Sequence, residues 1–275
     1  FSSATHDIAA DGFYMLGLEE HQQAAFVGVR STFYRLAMIS GQGLLVYLAG
    51  YLTHSTGSVQ LAWSVVFAIL AGLFISLFLY HYFILPKPAL DRPGITDAGV
   101  SPLQEFVATF AAFFKKKDIF VILGFLLLFR LGEAQLLKLA APFLLDPVAK
   151  GGLGLSTEQV GLVYGTIGVI ALTLGGLLGG YIISRFGLKR CLWIMVLSVH
   201  LPDLVFVYLA TALPSNIYLI AGGIALEQFG YGFGFASYML YMIMVSDGAH
   251  KTAHYAICTG FMALGMMLPG MASGW

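Results

Sequence analysis

Apolar stretches of about twenty residues recur along the chain, each closed by a short polar break. That is the length an α-helix needs to cross the hydrocarbon core of a bilayer. The pattern predicts a partial helix from Phe1 to Leu18, then full spans at about 31–53, 59–85, 118–145, 157–184, 189–212, 215–245 and 252–275. The longest break, 86–117, starts rich in Pro, Gly and Asp. Its second half, "PLQEFVATFAAFFKKKD", places Phe106, Phe110, Phe113 and Phe114 at helical spacing beside Lys115, Lys116 and Lys117. This predicts an amphipathic helix lying on the membrane surface. Such a linker separates two bundles: residues 1–85 close an N-terminal one, 86–117 connect, and 118–275 form a C-terminal one. The chain opens on Phe1 rather than Met and stops at Trp275 with its last apolar helix barely closed, and no signal peptide is visible. We expect an internal portion of a longer protein with further helices at both ends.

Composition agrees with this class. The chain is 59% hydrophobic and 10% charged, where a soluble domain is nearer a quarter charged, and its mean hydropathy is +0.85. The expected fold is an all-α membrane protein. Formal net charge is zero, which gives no electrostatic case for nucleic acid. Cys191 and Cys258 have no spacing that suggests a metal site or a disulfide framework.

The cations set the orientation. Arg30 and Arg35 flank the first loop, and Lys87, Arg92 and Lys115 to Lys117 lie in the long linker. Arg185, Lys189 and Arg190 lie in "SRFGLKR", and Lys251 in "DGAHKTAH". The alternate loops hold only Lys150, so the count is eleven against one. Positive charge stays inside, which makes the linker cytoplasmic and runs the first helix inward. A faint repeat pairs "FYRLAMISGQG" (33–43) with "FMALGMMLPGM" (261–271). Two related halves are expected of transporters, and chance likeness of two apolar segments is the alternative.

Charges inside spans carry the functional argument. One at mid-membrane costs about 2.5–3.5 kcal/mol on insertion scales, so it needs a partner or a task. Asp7 and Asp11, four apart, project from one face of the first helix beside His6. They read as a proton- or substrate-binding face, or as side chains reaching cytoplasmic water near Leu18. In "FRLGEAQLLK" Arg130 and Glu133 are three apart and near enough to pair. Gly132 between them and Pro142 beyond weaken the helix, as in transporter binding sites. Lys138 lies about 140° round the helix from Glu133 and snorkels toward the outer surface. Glu227 stands far from any loop, followed by Gln228, Tyr231 and three alternate glycines, Gly230, Gly232 and Gly234, which permit close packing or bending. Asp203, in "HLPDL" beside His200 and Pro202, reads as a structural residue satisfying a kinked backbone. "GLVYGTIGVIALTLGGLLGG" (161–180) contains the pairs Gly161/Gly165, Gly175/Gly179 and Gly176/Gly180, a helix-packing face and not a phosphate loop. No nucleophile–base or metal-ligand constellation points to an enzyme or a cofactor.

"GGYIISRFGLKR" resembles the cytoplasmic loop signature of the major facilitator superfamily. Gly180, Arg185, Gly187, Lys189 and Arg190 match it, while Ser184 stands where the family has an Asp. "ATHDIAADGFYMLGLEEHQQAAFVGVRSTFYRLAMISG", "FRLGEAQLLKLAAPFLLD", "EQFGYGFGFASYMLYMIM" and "AHYAICTGFMALGMMLPGMASGW" further resemble AmpG-type muropeptide permeases. His6 replaces an expected Gln, and Arg130, Gly132 and Glu133 replace an expected Lys/Gly/Asp arrangement. The resemblance implies the two-bundle fold, with these spans as helices four (partial) to eleven of twelve. It implies a monomeric, proton-driven importer in the bacterial inner membrane, carrying disaccharides of 1,6-anhydro-muramic acid with or without peptide. Helix seven then carries Arg130 and Glu133. The cavity-lining helices four and ten carry Asp7, Asp11 and Glu227, and helix nine, with Asp203, is peripheral. Arg130 or Lys138 would attract substrate carboxylates and Tyr231 could stack on sugar rings. Glu227, Glu133 or Asp7 would take the proton, and the loop residues would gate. A transporter of another solute (a sugar, an acyl-CoA-like molecule or a drug) and a non-transporting receptor are the alternatives.

Overall fold

The computed structural model describes residues 2–88 and 101–273, and among these every regular element is helical. The helices are α1 (Ser2–Gly17), α2 (Glu20–Ile39), α3 (Leu45–Thr56), α4 (Val59–Ile84), α5 (Pro102–Phe114), α6 (Ile119–Leu145), α7 (Thr157–Phe186), α8 (Leu188–Ala212), α9 (Ile217–Val245) and α10 (Lys251–Ala272). A π-helical turn, Ser40–Leu44, joins α2 to α3 without interruption, and a second, Gly161–Gly168, lies inside α7. Residues 89–100, in the first half of the expected linker, lie outside the described residues.

Seven of the eight expected helices appear within a few residues of their predicted limits. The exception is the span expected at 31–53, which starts at Glu20 and continues to Thr56. Its first turns, "EHQQ", are too polar for a hydropathy pattern, but they tie a hairpin. Gln23 donates its side-chain amide to the carbonyls of Met15 (3.1 Å) and Leu18 (2.8 Å), and the Tyr14 hydroxyl donates to the Gln23 carbonyl. Carbonyls at the end of α1 are thereby satisfied. Arg30 and Arg35 consequently sit within a helix instead of flanking a loop.

Contacts divide the chain into two compact units, residues 1–29 with 93–275, and residues 30–92. In the smaller unit α3 and α4 pack together across a turn in which Gly57 adopts φ +70°. The Ser58 hydroxyl caps α4 by accepting from the Leu61 amide (3.3 Å). Ala49, Ala62 and Val66 are buried there, while Phe67, Phe74, Phe78 and Tyr82 are exposed. That inversion suits a helix surrounded by lipid.

In the larger unit α9 is central and packs mainly on α7 and α8. Backbones approach closely because glycines stand at the crossings. A Cβ on Gly175 or Gly179 would strike the carbonyl oxygens of Phe229 and Phe233, and one on Gly232 that of Leu172. On the opposite side, Gly230 and Gly234 meet the Ser198 and Met195 carbonyls of α8. The alternate glycines therefore serve two neighbours, and α9 stays unbroken over 29 residues, about 43 Å. Close backbone contact of this kind supplies the dispersion that holds helices together in lipid. Gly176 and Gly180 receive α2, at Gly28 and Ala24. The first expected pair, Gly161/Gly165, faces open space instead, so the packing stripe covers only the second half of α7.

Among the described residues, five helices (α4, α6, α7, α8 and α10) are long and apolar enough to cross a membrane. α9 is long enough but more polar. Glu227, Gln228, Ser237 and the glycines Gly230, Gly232 and Gly234 are buried among neighbouring helices, so they do not meet lipid. The expected amphipathic helix is α5, opened by a capping box at Ser101 and Gln104. Phe106 and Phe110 are exposed, whereas Phe113 is fully buried against His254 and Phe261 of α10.

Candidate functional site

α6 is interrupted where its charges begin. It is regular over Ile119–Leu128 and again over Leu131–Leu145, with Arg130 in the bridge conformation (φ −103°, ψ 11°). The break precedes Gly132, and the helix passes Pro142 intact, so the weak point is neither residue singled out from the sequence. The Tyr238 hydroxyl of α9 donates to the Leu126 carbonyl (2.6 Å), the acceptor that an unbroken helix would offer to the Arg130 amide. α10 closes in at Gly265, where a Cβ would lie 2.9 Å from the Leu127 oxygen.

The break orients a bidentate ion pair. Arg130 Nε donates to Glu133 Oε2 and Nη2 to Oε1, both at 2.8 Å, with each side chain 12% exposed. Arg130 Nη2 also donates to the Tyr231 hydroxyl (2.8 Å). Its guanidinium lies 5.0 Å from the Phe235 ring centre and 5.8 Å from that of Tyr231. Two parallel charge-assisted bonds and an aromatic wall hold this cation on several sides. The expected pairing is present, and Tyr231 offers its hydroxyl to the arginine.

Glu227 is buried, 4% exposed, and accepts from the side-chain amide of its neighbour Gln228 (2.9 Å). Asp203 and His200 come within reach of the pair. A methyl group on Gly132 would stand 3.6 Å from Asp203 Oδ2 and 3.8 Å from His200 Nδ1. Glu133 is near enough to act electrostatically on His200, Asp203 and Glu227.

Other expected site residues lie elsewhere. Lys138 is exposed and runs along α10 at Gly270, 3.5 Å from a Cβ placed there. Asp7 is exposed and Asp11 buried, so their shared face is not uniformly accessible. The following residue, Gly12, packs on Thr252, about 20 Å along α10 from Gly265. In the "SRFGLKR" loop signature, Gly187 (φ +77°) turns α7 directly into α8, and Arg185, Lys189 and Arg190 are exposed. Ser184, in the place of the family's Asp, donates to its own helix at the Tyr181 carbonyl (2.7 Å). A cavity of about 280 Å³ adjoins this turn, lined by Glu20, His21, Gln23, Ser184, Asp247 and Lys251 among others.

The sequence pattern did not single out Tyr238, Phe235 or Phe129, because aromatics in an apolar helix carry no signal. Asp203 and His200 carried one, their polarity, but were assigned to the kink.

An uncharacterised protein of Haemophilus influenzae is 28% identical over the whole chain, which covers 63% of that protein. The anhydromuropeptide permease of Escherichia coli is 24% identical, again over the whole chain and 52% of the permease. The chain thus spans between half and two thirds of the length of these relatives. The family model of the Major Facilitator Superfamily matches residues 19–274. With its broken, charge-bearing helix, its glycine-packed central helix and that match over nearly its full length, the chain belongs to the major facilitator superfamily.

Proposed function

We propose that the chain is part of a proton-coupled importer of anhydro-muropeptides, working by alternating access in a bacterial inner membrane. The observation that carries this is the buried Arg130–Glu133 pair at a helix break, with Glu227 close by. The name of the Escherichia coli relative supports the substrate class. Residues 1–85 would belong to one moving bundle and 118–275 to the other, with 86–117 as their cytoplasmic tether.

The pair supplies a mechanism. Glu133 occupies the Nε/Nη2 edge of Arg130, so a substrate carboxylate takes that edge only by displacing it. A proton on Glu133 removes the competing charge and frees the guanidinium for the lactyl or peptide carboxylate of the substrate. A proton on Glu227 would remove a second buried charge and permit closure around the cargo. Tyr231, released from Arg130, becomes available to a sugar ring, and Lys138 attracts anions from the outer side.

The test is uptake of labelled anhydro-muropeptide by the full-length protein in proteoliposomes, with and without an imposed pH gradient. Accumulation should follow the gradient and fall in Glu133→Gln and Glu227→Gln. Gradient-independent accumulation, or full activity in both variants, would sink proton coupling. Uptake undiminished by excess unlabelled muropeptide would sink the substrate assignment.

A further inference from the structure

A second ionisable pair stands beside the site and has no part in the mechanism above. α8 is interrupted over 201–203, where Pro202 supplies no amide donor. His200 ends the first segment and Asp203 immediately precedes the second. A purely structural Asp at such a kink is expected to hydrogen-bond freed backbone. Among the described residues, neither the Asp203 carboxylate nor the His200 imidazole makes a hydrogen bond.

Both side chains are instead partly buried toward α6. Only Gly132 stands between them and the backbone of the Arg130–Glu133 turn, at the 3.6 and 3.8 Å spacing given above. The His200 ring meets Phe129 edge-on, 6.0 Å between centres. α9 seals the other side. Gly230, one turn beyond Glu227, lets the α8 break approach so closely that a Cβ there would lie 2.8 Å from Pro202 Cγ. Gly132 thus brings the α6 break up to that of α8, and Gly230 brings α9 up to the same break.

The charged and titratable groups placed near Asp203 are His200 on α8, Glu133 on α6, with Arg130 paired to it, and Glu227 on α9. Glu133 acts on Asp203, and Asp203 in turn on Glu227. If Glu133, Asp203 and Glu227 were all ionised, Arg130 would balance one of three negative charges. Two uncompensated charges in a membrane interior are costly, and a bound proton is the smallest remedy.

We infer that Asp203 and His200 form an auxiliary proton-holding pair that sets the pH at which the Arg130–Glu133 pair opens. Its effect on transport rests on the function proposed above, but the proton exchange itself does not. Asp203 is a positioning residue in this scheme, since it acts on substrate only through Glu133 and Arg130.

Two measurements on the full-length protein in lipid test it. The first uses no substrate: pH-titrated infrared difference spectra follow the carboxyl stretch. Asp203→Asn should remove one titrating band and displace the remaining carboxyl bands to lower pH, by on the order of one pH unit, because a negative neighbour has gone. The second is the pH profile of anhydro-muropeptide uptake, whose midpoint should move the same way. Asp203→Glu should restore the profile, and His200→Gln, which removes a potential cation, should move it toward higher pH. An Asp203→Asn infrared titration identical to wild type overturns the inference. So does an uptake loss uniform across pH, which is the signature of a structural role. If the carboxyl bands respond as stated while wild type imports no anhydro-muropeptide, the proposed substrate fails and the proton-holding pair stands.

Discussion

Replacing Glu133 by Leu removes both acceptors of a bidentate pair whose side chains are each 12% exposed. Arg130 then keeps one hydrogen-bond partner, the Tyr231 hydroxyl at 2.8 Å, beside the Phe235 ring. Opening a buried ion pair from one side costs about 3–5 kcal/mol, because the surviving charge stays buried without compensation. At roughly 2–4 °C per kcal/mol for a chain of this size, the melting temperature should fall by about 6–20 °C. The double variant Arg130→Met/Glu133→Leu removes both charges and should recover most of that loss, since apolar replacement of a whole buried pair is often neutral or stabilising. Uptake should stay lost in both. Unfolding can be followed with a thiol-reactive fluorophore, because Cys191 and Cys258 are free and buried until the fold opens. A single variant as stable as wild type, or a double variant as unstable as the single one, would refute the argument that the pair is a buried, mutually compensating unit.

Tyr238→Phe leaves the Leu126 carbonyl at the α6 break without its donor, and should lower stability by about 1–3 kcal/mol in the same melting assay. Gly232→Ala drives a methyl group into the Leu172 carbonyl and should cost about 1–3 kcal/mol, whereas Gly161→Ala, which faces open space, should be close to neutral. Asp11→Ala should reduce uptake or thermal stability more than Asp7→Ala, since Asp11 is 7% exposed and Asp7 lies on the surface of the chain. Equal effects would show that burial does not separate the two aspartates.

Helix number, order and most limits were legible because lipid imposes one rule on every span it touches. About twenty apolar residues must follow one another, and α4, α6, α7, α8 and α10 obey. The rule weakens where a helix meets protein. The start of α2 was missed because Gln23 and its neighbours serve the α1–α2 hairpin. The sequence could name Arg130 and Glu133 as partners because they lie three residues apart on one helix, a distance local geometry fixes. It could not tell that Asp11 is buried while Asp7 is exposed, or that Asp203 and His200 stand beside the α6 break, since those depend on how helices cross.

The sequence by itself determined that this is a multi-pass helical membrane protein, which helices carry charge, and that two of those charges pair. Only the tertiary structure decided that α6 breaks at Arg130 and that α9 is the shielded central helix. It also decided that Gly230 and Gly232 turn to different neighbours, and that Asp203 and His200 belong beside the ion pair. Hydropathy and spacing are properties of one segment in contact with solvent or lipid. Helix crossings are set by which small residues let backbones meet, and that is decided by two segments at once.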